Sequence, residues 1–118
     1  MSIVAELMSK PGVLAAGEYA YRGDRFSYKG ALNEHYAQMA SIMCRATSLS
    51  AAMEAEMLAA FHPNCGIQPS RGWLVRGPTR TVCVVANVFC LLDNALASPN
   101  EILNAMRQAL ADTDNDLI

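Results

Sequence analysis

Charge is scarce in this chain of 118 residues: Asp, Glu, Lys and Arg make up 17% of it, against the ~25% of an ordinary globular protein. With 53% hydrophobic residues beside so little charge, the disordered, collagenous and acidic low-complexity classes are excluded. Basic excess is missing too. The formal charge is −2, so nothing would neutralise a run of phosphates, and nucleic-acid binding is not expected. Long apolar runs are absent. The longest uncharged stretch that reads as apolar, Thr81 to Leu92, falls well short of the ~20 residues a spanning helix needs, so no membrane partner is expected. The opening, Met1 to Pro11, has no basic leader and carries Glu6 among its apolar residues. It is not expected to be a signal peptide, and the chain is expected to be cytoplasmic.

Chemical motifs are equally sparse. Neither G-x-x-x-x-G-K-[ST] nor G-x-G-x-x-G occurs, so nucleotide phosphates have no familiar cradle. G-x-S-x-G is missing, and the two histidines, His35 and His62, stand in no triad context. No catalytic residue and no cofactor is expected. The four cysteines, Cys44, Cys65, Cys83 and Cys90, form no C-x-x-C pair and are expected to be free thiols. His62 and Cys65 have the spacing of half a metal site, but no second close pair of ligands follows, so no metal is expected. Cys65, between Asn64 and Gly66, is the thiol expected to meet solvent, whereas Cys83 and Cys90 read as small core hydrophobes on opposite faces of one strand. Arg22-Gly23-Asp24 reads as an ordinary turn.

What is present is a succession of clear elements. Ser2 caps a short helix that Pro11-Gly12 ends. Val13 to Tyr21 and Arg25 to Lys29 read as a β-hairpin. Asn33 caps a helix to about Ala60, free of Gly and Pro and rich in Ala and Met, which Pro63 and Gly66 stop. Gly72 to Arg76 reads as a strand, Gly77 to Arg80 as a turn, and Thr81 to Leu92 as one strand apolar on both faces, fit for the centre of a sheet. Ser98-Pro99-Asn100-Glu101 is a capping box with proline at the first helical position, and Ile102, Leu103, Met106, Ala109 and Leu110 follow on one stripe. The expected class is α+β: helix, strand, strand, long helix, strands, helix, with helices on the faces of an antiparallel sheet. Residues 1–110 read as a single domain and 111–118 as an acidic, frayed tail.

The long helix is the most informative element. Tyr36, Met39, Met43, Ala46, Ser50, Met53 and Met57 repeat at alternating spacings of three and four, with Ile42 and Leu49 on a flank. Its polar stripe, Glu34, Gln38, Ser41, Arg45 and Ser48, is narrow. A helix packed on one sheet should be polar over about half its surface, so a second apolar contact is expected, and self-association supplies it.

The order of elements resembles the roadblock/dynein-light-chain family, whose domains have a profilin-like fold. The segments that carry the resemblance are Lys10 to Glu18, the Ala40-Ser41-Ile42-Met43-Cys44 stretch, Gly72-Trp73-Leu74 with Gly77, and Val82 to Val88. They are similar to a small prokaryotic branch of that family. In one place the chain departs from the family. Where a strand would follow the long helix, Phe61 to Pro69 is broken by Pro63, Gly66 and Pro69, so no strand is expected there.

The resemblance implies a non-enzymatic homodimer that regulates a small Ras-like GTPase or acts as a scaffold. It also implies one alternative, an accessory subunit of a sulfur-oxidation or heterodisulfide-reductase-like complex, whose partner is a redox or sulfur enzyme; a small-ligand sensor using a pocket in the same fold, and an enzyme, are two further alternatives. In the implied fold the first and last strands are antiparallel neighbours at the middle of the sheet. The two turns would then meet at one edge and gather Arg22, Arg25, Arg76 and Arg80, four of the nine basic residues, into a patch for an acidic partner or an anion.

Overall fold

The computed structural model describes residues 2–20 and 25–111. Helix α1 spans Ile3–Met8, its first turn closed by the Ser2 hydroxyl, which accepts from the Ala5 amide at 3.1 Å. Strands β1 (Val13–Tyr19) and β2 (Phe26–Gly30) form the hairpin read from the sequence. Helix α2 runs from Glu34 to Phe61, 28 residues, capped by the Asn33 side-chain oxygen, Oδ1, which accepts from the Tyr36 amide at 2.9 Å. No strand occurs between its end and Gly72. Strands β3 (Gly72–Arg76), β4 (Arg80–Val85) and β5 (Val88–Asp93) follow, and then helix α3 (Pro99–Ala109), with Ser98 as its N-cap. The turn expected at 22–24 and residues 112–118 of the acidic tail lie outside the described residues.

The five strands make one antiparallel sheet in the order β2-β1-β5-β4-β3. Side chains alternate across it, so each strand feeds two cores. On one face Cys83, Val85, Val88, Cys90 and Leu92 pack with Val4 and Leu7 of α1 and with Ile102 and Met106 of α3. On the other, Val84, Phe89 and Tyr19 pack with Cys44 of α2, and Trp73 borders them. Gly17 belongs to this second face: a Cβ there would lie 2.4 Å from the Phe89 ring, so the aromatic ring fills the space its missing side chain leaves.

One expectation is corrected. Thr81 to Leu92 is not a single strand but the hairpin β4–β5, turning at Ala86-Asn87. Ala86 takes the positive φ, 54°, that the turn demands, and the Asn87 side-chain amide donates to the Tyr19 carbonyl at 2.9 Å, tying the turn to the end of β1. Two consequences follow from the added turn. Cys83 and Cys90 become direct cross-strand partners on the same face rather than residues on opposite faces. The turn between β3 and β4 also moves to the far end of the sheet from the β1–β2 hairpin tip, because β4 now runs toward that tip instead of away from it.

Candidate functional site

Helix α2 lies on the sheet through a stripe of small side chains. Ala37, Ser41, Cys44 and Ala55 are its buried residues, and Ala40, Ser48 and Ala51 are half-buried beside them. Two polar groups fit this contact without cost. The Ser41 hydroxyl donates to the Ala37 carbonyl at 2.8 Å within the helix, and the Trp73 indole donates to Ser48 Oγ at 2.8 Å, linking β3 to α2.

The large apolar residues of α2 point the other way. Tyr36, Met39, Ile42, Met43, Leu49, Met53, Met57, Leu58 and Phe61 are all exposed, with Met43, Met53 and Met57 at 63%, 69% and 70% and Phe61 at 87%. Ala46 and Ser50 are exposed too. Projected at ~100° per residue, the centre of this stripe is almost diametrically opposite the stripe that touches the sheet. Every residue expected at the dimer interface therefore sits on one continuous outward face, along a helix of about 42 Å. An isolated surface helix normally arranges its side chains in the reverse sense, large residues inward and polar ones outward.

The expected arginine patch is not assembled. Arg25 immediately precedes β2, at the end of the sheet where the Ala86-Asn87 turn lies, and Arg22 falls outside the described residues. Arg76 and Arg80 sit at the opposite end, where Arg80 pairs with Asp93 at 3.6 Å. The cause is the β4–β5 hairpin, which reverses the direction of the strand that follows the Gly77-Pro78 turn.

The thiols divide by environment. Cys65 is half-buried in the loop after α2, beside a pocket lined by Asn64, Gly66, Ile67 and Gln68. Cys44 is buried against the sheet, and that burial pushes its pKa up to about 11. Cys83 and Cys90 are wholly buried, and Cys83 Sγ lies 3.8 Å from Met106 Sδ. A hydrogen bond shared with Cys83, with burial, pushes the Cys90 thiol upward as well. Among the described residues no three His, Cys, Asp or Glu side chains come close enough to hold a metal ion, and no helix is long and apolar enough to cross a membrane.

A residue cluster that the sequence reading missed holds the β3–β4 turn. Asn94 receives the Thr81 hydroxyl at 2.6 Å, donates its side-chain amide to the Gly77 carbonyl at 2.9 Å, and donates its backbone amide to the Thr79 carbonyl at 3.0 Å. Nothing in its local sequence marks it, since its partners lie 13 to 17 residues away. No curated protein matches the chain. Residues 3–108, nearly its whole length, match one family profile, and the chain accordingly belongs to the family described as Uncharacterized conserved protein (DUF2173).

Proposed function

We propose that the protein is a non-enzymatic homodimer that serves as a regulatory or scaffolding module, of the kind its resemblance to roadblock domains implies. The observation that supports this reading is the outward face of α2, with Tyr36, Met39, Met43, Met53 and Met57 exposed on the side away from the sheet. Apolar patches of this extent are rare on monomers because each exposed methylene costs free energy that association recovers. A second copy is the natural occupant. The residues repeat with the three-four spacing by which like helices interlock, Ala46 and Ser50 let the backbones approach, and methionine adapts to an imperfect surface. The face carries few charges, so two copies meet without opposing ions.

The partner of such a dimer is a protein, and the resemblance implies a small GTPase or a redox or sulfur enzyme. Light scattering coupled to size exclusion tests the dimer directly. The wild-type chain should elute as a dimer at micromolar concentration, and replacing Met43 and Met57 together by Glu should yield monomers with an unchanged far-ultraviolet circular dichroism spectrum. A wild-type monomer would overturn the reading.

A further inference from the structure

Among the described residues, the most exposed sulfur-bearing side chains are methionines and not cysteines. Thiols ordinarily meet an oxidant before thioethers do, because the thiolate is the stronger nucleophile. Here Cys44, Cys83 and Cys90 are buried and Cys65 is half-buried. Of the seven methionines in the chain, Met39, Met43, Met53 and Met57 are exposed on α2. Met8 is half-buried, and Met106 is wholly buried, its sulfur 3.8 Å from Cys83 Sγ.

The four exposed methionines are clustered. Met39 and Met43 are neighbours one helical turn apart, as are Met53 and Met57. At ~100° per residue all four fall within an arc of ~80°, at the centre of the outward face. A thioether suits a dry contact, since its sulfur is a weak acceptor that needs no hydrogen bond. A sulfoxide does not. Oxidation converts the flexible apolar side chain into a polar one, and a polar group taken out of water must find a donor. Along the stripe only Tyr36 and Ser50 bear hydroxyls, two donors for four sulfoxide oxygens.

We infer that these methionines place the dimer under oxidative control: a peroxide converts them to sulfoxides, and the two copies separate. The inference rests on the homodimer proposed above and adds a means of regulating its interface. In each step the O–O bond of hydrogen peroxide breaks and one oxygen becomes bonded to Sδ. The sulfur is oxidised by two electrons and the peroxide is reduced to water. A methionine sulfoxide reductase reverses the step, its thiols supplying two electrons and the oxygen leaving as water. Association covers the four sulfurs, so the oxidant takes the separated chains, and each sulfoxide formed then opposes their pairing again. Oxidation is therefore slow at high protein concentration and fast below the dissociation constant.

The test uses the full chain, hydrogen peroxide and a variant combining Met39→Leu, Met43→Leu, Met53→Leu and Met57→Leu, which keeps the volume and the apolar face but removes the sulfur. Light scattering coupled to size exclusion reads the oligomeric state, and peptide mass mapping reads the sites. Peroxide should place oxygen on the four α2 methionines before Met106. The dimer dissociation constant should rise by about tenfold per sulfoxide, the effect of stranding one polar group in a contact. Reductases for both sulfoxide epimers, with dithiothreitol, should restore the dimer. The leucine variant should stay dimeric through the same treatment; it retains Cys65, so it separates thioether from thiol. A second readout makes the same separation. A thioether does not ionise, so the rate at which peroxide removes the dimer should be flat over about two pH units around neutrality, whereas a thiolate-driven loss rises with pH. A wild-type dimer that persists once all four methionines are oxidised would overturn this inference and leave the homodimer standing. Equal loss of dimer in the leucine variant would overturn it and assign the sensitivity to Cys65. A wild-type monomer before any peroxide is added would overturn the homodimer and the inference together.

Discussion

Ala86 holds a φ of 54° at the head of a two-residue turn, where its methyl group meets the steric penalty that makes glycine the usual occupant. Ala86→Gly should relieve that penalty and stabilise the fold by about 1 kcal/mol, less the entropy glycine adds to the unfolded chain, read as a rise in the midpoint of chemical denaturation. A fall in the midpoint would mean that the Ala86 methyl group, itself nearly buried, contributes more by packing than its backbone loses. The same residue explains why the hairpin was not legible. Thr81 to Leu92 contains neither Gly nor Pro, and Ala-Asn carries only a weak turn signal, so hydrophobic continuity pointed to one strand. With the turn unseen, the facing of the cysteines and the position of the arginines were both misplaced. The contrast among thiols depends on burial and not on strand direction: Cys65 is half-buried, and the other three are buried. A thiol reagent should modify Cys65 first in the native protein, with Cys44, Cys83 and Cys90 reacting only as the chain opens. Native labelling of Cys83 or Cys90 at the rate of Cys65 would contradict the buried face assigned to them.

At the scale of elements, the helices were readable because their ends and faces are written locally. Ser2, Asn33 and Ser98 each cap the helix that follows, and each accepts the amide three residues on. The outward stripe of α2 was readable for a related reason: a three-four repeat is a property of sequence spacing, and it persists whichever side meets the sheet. What spacing does not specify is which stripe faces inward. Here the small residues do, because an alanine and serine surface allows α2 to lie close over Val84 and Phe89. The β3–β4 turn shows the opposite case, in which long-range hydrogen bonds decide. Thr81 is 1% exposed and its hydroxyl depends on Asn94. Asn94→Ala should therefore cost about 1–3 kcal/mol, the desolvation of a stranded buried hydroxyl, and the loss should shrink when Thr81→Val is added. Additive costs in that double-mutant cycle would show that the two residues act separately. The Arg80–Asp93 pair nearby is a minor contributor by comparison, being half-exposed on the arginine side and 3.6 Å long.

For the whole molecule, the division of labour between the two faces of the sheet sets what can be measured. On the α1–α3 face the helices bury Val4, Leu7, Ile102 and Met106 against the strands. The α2 face is half finished, since the helix that covers the sheet presents its own larger side chains to the exterior. If a second copy covers them, folding and association are linked, and stability depends on concentration. For a dimer that dissociates as it unfolds, each tenfold rise in concentration adds about 1.4 kcal/mol per mole of dimer, which is a few degrees in Tm for a molecule of this size. The wild-type Tm should climb accordingly across two decades of concentration. In the Met43→Glu, Met57→Glu variant it should be flat and lower, and the two curves should converge on dilution as the wild-type dimer dissociates. A wild-type Tm that stays constant over that range, in a protein that scatters light as a dimer, would show that the dimer separates before the chains unfold, placing the strength of the fold in the sheet and its α1–α3 face.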